Sequence, residues 1–175
     1  MLIREIKAYN GRNIYSHQKV IKMVVDLEEW NDIPSTEIPN FNKTLLETLP
    51  GLAKHHCSLG YEGGFKQRLE EGTYMAHVIE HSALEILNII GHQVSFGRAR
   101  QIGDTSCYAI VFAQREEHAG MEAGRLAVEL VQALCRQESF DIYSGLKHVE
   151  QVSLRYGLGP STQAIVDAAI ERGIP

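Results

Sequence analysis

The segment from Thr73 to Ile90 constrains this chain more than any other, because it reads as one long helix, apolar nearly all round, that still carries His77, Glu80, His81 and Glu85. Thr73 is a good N-cap and Gly91 a good stop, so the spacing predicts a helix from Thr73 to about Ile90. Val78, Ile79, Ala83, Ile86, Leu87, Ile89 and Ile90 cover its other faces and place it in the interior. Buried imidazoles and carboxylates are costly unless something satisfies them. At about 100° per residue, His77 and His81 lie one turn apart on one face with Glu80 beside them, and Leu84, Glu85 and Asn88 continue the stripe.

Neutral imidazoles at that spacing can share one zinc ion, and a carboxylate between them can act as general base on water. His77-Val78-Ile79-Glu80-His81 is thus an H-x-x-E-H pattern, the inverted zincin arrangement. The competing reading is a core histidine pair held by Glu80, Glu85 and backbone groups, or a solvated stripe under a loop. A catalytic zinc takes three protein ligands and keeps one position open. Glu117, near the start of the following helix, is the expected third ligand, with Glu116 next and Glu85 the local alternative. His55, His56 and Cys57 form a second donor-rich cluster, read as a loop packed by a small buried cysteine with partly exposed histidines. His17, His92, His118 and His148 are isolated. Arg98 and Arg100 are candidates to clamp a substrate carboxylate with their guanidinium forks, and Lys66 and Arg68 extend that cationic edge. A solvated basic loop is the plainer reading of each. Gly63-Gly64 makes a tight turn, and no phosphate-loop pattern surrounds it.

The rest of the chain predicts an α+β fold, a small mixed or antiparallel sheet packed against two long helices. Leu2 to Tyr9, Val20 to Leu27, Val94 to Phe96 and Cys107 to Ala113 read as strands, with Arg98, Arg100 and Gly103 in a basic loop between the last two. Ile21, Met23, Val25 and Leu27 share one strand face, with Lys22 and Asp26 opposite. Helical spacing appears at Phe41 to Leu49, Phe65 to Glu70, the run Ala123 to Leu134 after Glu116-Glu117, and within Ser139 to Tyr156. A tail from Gly157 carries its own helix, Gln163 to Arg172, and breaks off at Gly173-Ile174-Pro175 as though cut from something longer. The expected division is therefore 1–156 for the domain and 157–175 for a linker and helix.

The 175 residues suit one domain with a core, and 17 basic against 22 acidic side chains give −5, which argues against a nucleic-acid binder. Three widely spaced cysteines indicate neither a disulfide framework nor a cysteine zinc site. No apolar run approaches the ~20 residues of a membrane span. The expectation is a soluble, cytoplasmic protein.

Several segments together resemble the N-terminal domain of cyanophycin synthetases, enzymes that build a polymer of an aspartate backbone with arginine on its side chains. They are Gly11 with Asn13-Ile14-Tyr15-Ser16, Pro34-Ser35 with Ile38-Pro39, His55 with Cys57-Ser58, Gly63-Gly64-Phe65, Glu71-Gly72-Thr73, the H-x-x-E-H segment with Ala83-Leu84-Glu85, and Phe96-Gly97-Arg98 with Arg100. Leu158-Gly159-Pro160-Ser161-Thr162 looks like the lead into the family's ATP-grasp domain. Arg12, Tyr15, Ser82 and Ala99 stand where proline, tryptophan, valine and threonine are expected, and none removes a metal donor. The resemblance implies a domain that binds cyanophycin and cuts it into primers at a zinc site of His77, His81 and Glu117 with Glu80 as catalytic base. ATP and magnesium would serve only the later ligating domains, and the full enzyme would be a homo-oligomer. The alternative is a non-catalytic polymer-binding or scaffold domain.

Overall fold

Ile21, Met23 and Val25 point to one side of a strand at the centre of the protein and are completely buried. That strand, β2 (Val20–Asp26), pairs antiparallel with β1 (Leu2–Tyr9) on one side and β4 (Cys107–Ala113) on the other. β3 (Gly97–Gln101) pairs antiparallel with β4, so the four strands run in the order β1-β2-β4-β3 with β3 at an edge. The structure is a computed structural model describing residues 1–174; Pro175, at the expected break in the chain, lies outside the described residues.

The sheet is wholly antiparallel, one of the two expected arrangements. Its third strand is shifted from the expectation. Val94 to Phe96 is not a strand, and Arg98 and Arg100 lie in β3 rather than in a loop. Sequence periodicity favours the apolar triplet, but Ala113 N–H already bonds Phe96 O, and the ladder continues through the polar residues because an edge strand can leave their side chains in water.

Two long helices cover one face of the sheet. α3 (Met75–Ile89) packs over β3 and β4, and α4 (Glu117–Cys135) over β1 and β2, with the helices against each other. α1 (Phe41–Thr48) and α2 (Gly64–Glu71) close one end, joined by a 3₁₀ turn at Pro50–Lys54, and bury Phe41, Leu45, Leu52 and Phe65 in the shared core. α5 (Ile142–Tyr156) packs on α4 through Val149, and α6 (Pro160–Glu171) follows Gly157 and its short connection. Among the described residues, no helix is long and apolar enough to cross a membrane.

Thr73 does not cap α3. The capping position is Tyr74, in extended conformation and without a side-chain cap bond, and the Thr73 hydroxyl is instead 2.9 Å from His77 Nδ1. At the other end Gly91, at φ +92°, turns the chain as expected. Glu116 caps α4, its carboxylate accepting from the His118 and Ala119 amides.

Candidate metal centre

His77, Glu80 and His81 converge on α3, each presenting a donor atom within 4.8 Å of the others. Helical spacing puts them on one face of α3, where Phe65 of α2, His55 of the loop after the 3₁₀ turn and Gly97 of β3 surround them. Phe65 of α2 stacks on the His81 ring at 4.0 Å between centroids and 21° between planes, and meets His77 edge-on at 5.3 Å. The two imidazoles are therefore fixed by an aromatic wall as well as by their helix.

Each histidine has its Nδ1 engaged. Thr73 Oγ1 lies at His77 Nδ1, and His55 Nδ1 lies 3.1 Å from His81 Nδ1. His81 Nε2 faces Glu80, 3.8 Å from its Oε1. The backbone of Gly97, first residue of β3, lies so close to the Glu80 carboxylate that a Cβ there would overlap it. His55 reaches the site because its amide bonds Leu52 O and its carbonyl accepts from Phe65 N–H, which folds the loop over α3. Its Nε2 is 2.8 Å from Glu85 Oε2, and the Glu85 carboxylate rests against Gly51, again where a Cβ would overlap it.

Burial sets the protonation of the trio. It pushes the Glu80 carboxyl up to about 8, with Arg98 pulling the other way. It drives His77 down to about 4, Arg68 adding to the effect, and His81 down to about 2, with His77 and His55 contributing. Two imidazoles held neutral beside a carboxyl group suit a divalent ion such as zinc, because a metal binds the unprotonated nitrogen. The donor set therefore fits, with His77 and His81 as the residues that would hold the ion and the Glu80 carboxylate beside them.

A cavity of about 1140 Å³ opens onto this group. Its wall includes Lys54, Arg68 and Arg98, together with Tyr74 and Phe96. Arg98 thus borders the site, whereas Arg100, two residues along β3, does not line the cavity. Glu117 is not brought into the metal group either; its carboxylate accepts from the Asn10 side chain beyond the end of β1. Glu116 is occupied as the α4 cap. The sequence reading did not place His55 in the site, since it lies 26 residues from His81 and no periodicity links them. The available signals were the donor-rich run His55-His56-Cys57 after Pro50-Gly51 and the segment of His55 with Cys57-Ser58.

Residues 22–136 match the family described as cyanophycin synthase-like N-terminal domain. The chain belongs to this family. Curated relatives align with all of it: the cyanophycin synthetase of Trichormus variabilis at 41% identity, that of Crocosphaera subtropica at 39% and that of Synechocystis sp. at 38%. The chain spans only about a fifth of their length, 20% of the first and 21% of the other two. As a cyanophycin synthase-like N-terminal domain it contains both α3, with the metal group, and β3, with Arg98, inside the matched region.

Proposed function

We propose that this chain binds cyanophycin and cleaves its backbone amides by zinc-dependent hydrolysis, generating shorter primers for a synthetase. The observation that carries the reading is the pairing at the histidines: both Nδ1 atoms are engaged by neighbouring side chains, and His81 Nε2 faces Glu80 beside an open cavity. Zinc, when bound, would supply Lewis acidity that makes water nucleophilic at neutral pH and draws charge from the scissile carbonyl. His77 and His81 are assigned as its holders. Glu80 is assigned as the base that removes a proton from the attacking water and passes it to the leaving amine. Its ionised form is favoured when a divalent cation lies nearby, since opposite charge offsets the burial that now keeps it protonated. The third ligand expected at Glu117 would require that carboxylate to leave Asn10.

Arg98 is assigned to a substrate carboxylate, with Lys54 and Arg68 on the same cavity wall and Arg100 in support from the next outward position of β3. Each unit of the polymer offers a free carboxylate to such a wall. ATP- and magnesium-dependent ligation and assembly into a homo-oligomer are assigned to synthetase regions this chain does not span, with 157–175 as the connection towards them and a cytoplasmic setting for the whole. The test incubates the zinc-loaded chain with cyanophycin and follows polymer length. Wild type should shorten it and Glu80→Gln should be slower by about 10²–10⁴-fold, the usual weight of a positioned general base. No shortening by wild type, with polymer affinity kept after chelation, would leave a non-catalytic binding domain, the reading that the cationic wall favours.

A further inference from the structure

β3 has a neighbouring strand on one side only, and the phase of its pairing fixes which backbone groups point to the free side. Ala113 N–H donates to Phe96 O and Ile102 N–H to Cys107 O, so the even-numbered residues from 96 to 102 are the ones that bond β4. Bonded and non-bonded pairs alternate along an antiparallel ladder, which turns the N–H and C=O of Gly97, Ala99 and Gln101 away from β4. Gly97 and Ala99 line the same cavity as His77, Glu80 and His81. We propose that this free edge is a backbone-recognition site, which takes an extended polyamide chain bearing carboxylates as a fifth strand beside Glu80. The inference deepens the polymer-binding part of the proposed function and does not depend on cleavage.

The two faces of β3 differ in a way that suits such a guest. Gly97 pairs with the buried Phe112 and is turned to α3, where a Cβ would meet the Glu80 carboxylate. Arg98 pairs with Val111 and Arg100 with Ala109, which puts both exposed side chains on the opposite face of the sheet. Paired residues of neighbouring strands project to the same face. An added strand, about 4.8 Å beyond β3, would therefore send alternate side chains towards the cavity and the others alongside Arg98 and Arg100. Guanidinium groups bind carboxylates through paired N–H donors. Exposed charge on an edge strand also discourages indiscriminate pairing, and an acidic guest cancels that screen. Backbone pairing then supplies affinity, and the two arginines select among extended chains by charge.

Amide hydrogen exchange of the metal-free ¹⁵N-labelled chain tests the edge without any cleavage. In the free chain the Ala99 and Gln101 amides should exchange faster than those of Arg98 and Arg100; the reverse order overturns the proposal. A capped decapeptide of alternating alanine and aspartate, at saturation, should slow Ala99 and Gln101 exchange by about tenfold and move their proton signals downfield. The same peptide N-methylated at every residue keeps its charge but cannot donate, and it should do neither. Equal effects from the two peptides, or none from either, overturn the proposal. Ala99→Pro removes one outward N–H at a position where an edge strand tolerates proline, and it should weaken decapeptide binding by about tenfold. A folded Ala99→Pro that binds as tightly as wild type overturns the edge site, and if the variant does not fold, the two peptides on wild type decide. Failure to shorten polymer with zinc bound would remove the hydrolase reading and leave these amide measurements untouched.

Discussion

α3 and α4 lie side by side on the same face of one sheet, and they bury opposite kinds of residue. The buried positions of α4 are Ala, Leu, Val, Gly and one Cys, with no ionisable carboxylate or imidazole among them. Its small residues let it sit tightly on β2: a Cβ on Gly124 would come within 2.5 Å of Met23 Sδ, and one on Gly120 within 2.8 Å of Ile21 Cγ1. α3 buries Glu80, His81, Ser82 and Glu85 among its apolar residues. Two helices with the same structural task thus differ in what they carry beyond it. α4 is explained by packing alone, whereas α3 holds groups whose desolvation works against folding and which packing does not account for.

The contrast can be broken most forcefully at α4. Ala127→Glu places a carboxylate at a fully buried position with no arranged partner, and several kcal/mol of loss is expected, enough to prevent folding. A cooperative urea transition for that variant would show that α4 tolerates what α3 carries. Gly97→Ala attacks the α3 side from the sheet. The added methyl must displace Glu80 or the start of β3, at about 1–3 kcal/mol, and polymer shortening should fall with it; unchanged stability would mean the contact is slack.

Glu80→Gln should act in the opposite direction on stability. Glu80 is held near 8 in the folded chain against an ordinary 4.5, so the unfolded state gains from ionisation as pH rises between those values. Wild type and variant should melt alike below pH 4.5, diverge in favour of the variant up to about pH 8, and stay parallel above it. At neutral pH the metal-free variant should gain on the order of 1–3 kcal/mol by linkage, a rise of about 2–4 °C in Tm per kcal/mol for a chain of this size. A pH-independent difference would remove burial as the cause. The smallest effect is expected at Ser82, whose fully buried hydroxyl has no hydrogen-bond partner among the described residues. Ser82→Ala should be neutral or stabilising by up to about 1 kcal/mol, measured by thermal melts, and a clear loss would reveal a hidden partner.

What the sequence made legible was whatever depends on neighbours along the chain. Alternation and helical spacing located β1, β2 and β4 and the bodies of α1 to α4, and the spacing of His77, Glu80 and His81 predicted a shared helical face that the structure contains. What was hidden depends on contacts between distant segments. β3 was misplaced because its pairing with β4 overrides its polar composition. Thr73 has the chemistry of a cap, but its hydroxyl is turned to His77. His55 enters the site through a loop fold that no local pattern encodes, and Glu117 meets Asn10, over a hundred positions away in sequence, instead of the histidines.

Gly51 and Gly97 contribute no donor, charge or side chain, yet each is a mould pressed against one of the buried carboxylates. The site can therefore be lost by addition as readily as by removal. A single extra methyl at either glycine would overlap a buried carboxylate while every histidine and glutamate of the motif stayed in the sequence, so a chain can keep all its donor letters and still have forfeited the shape that aims them.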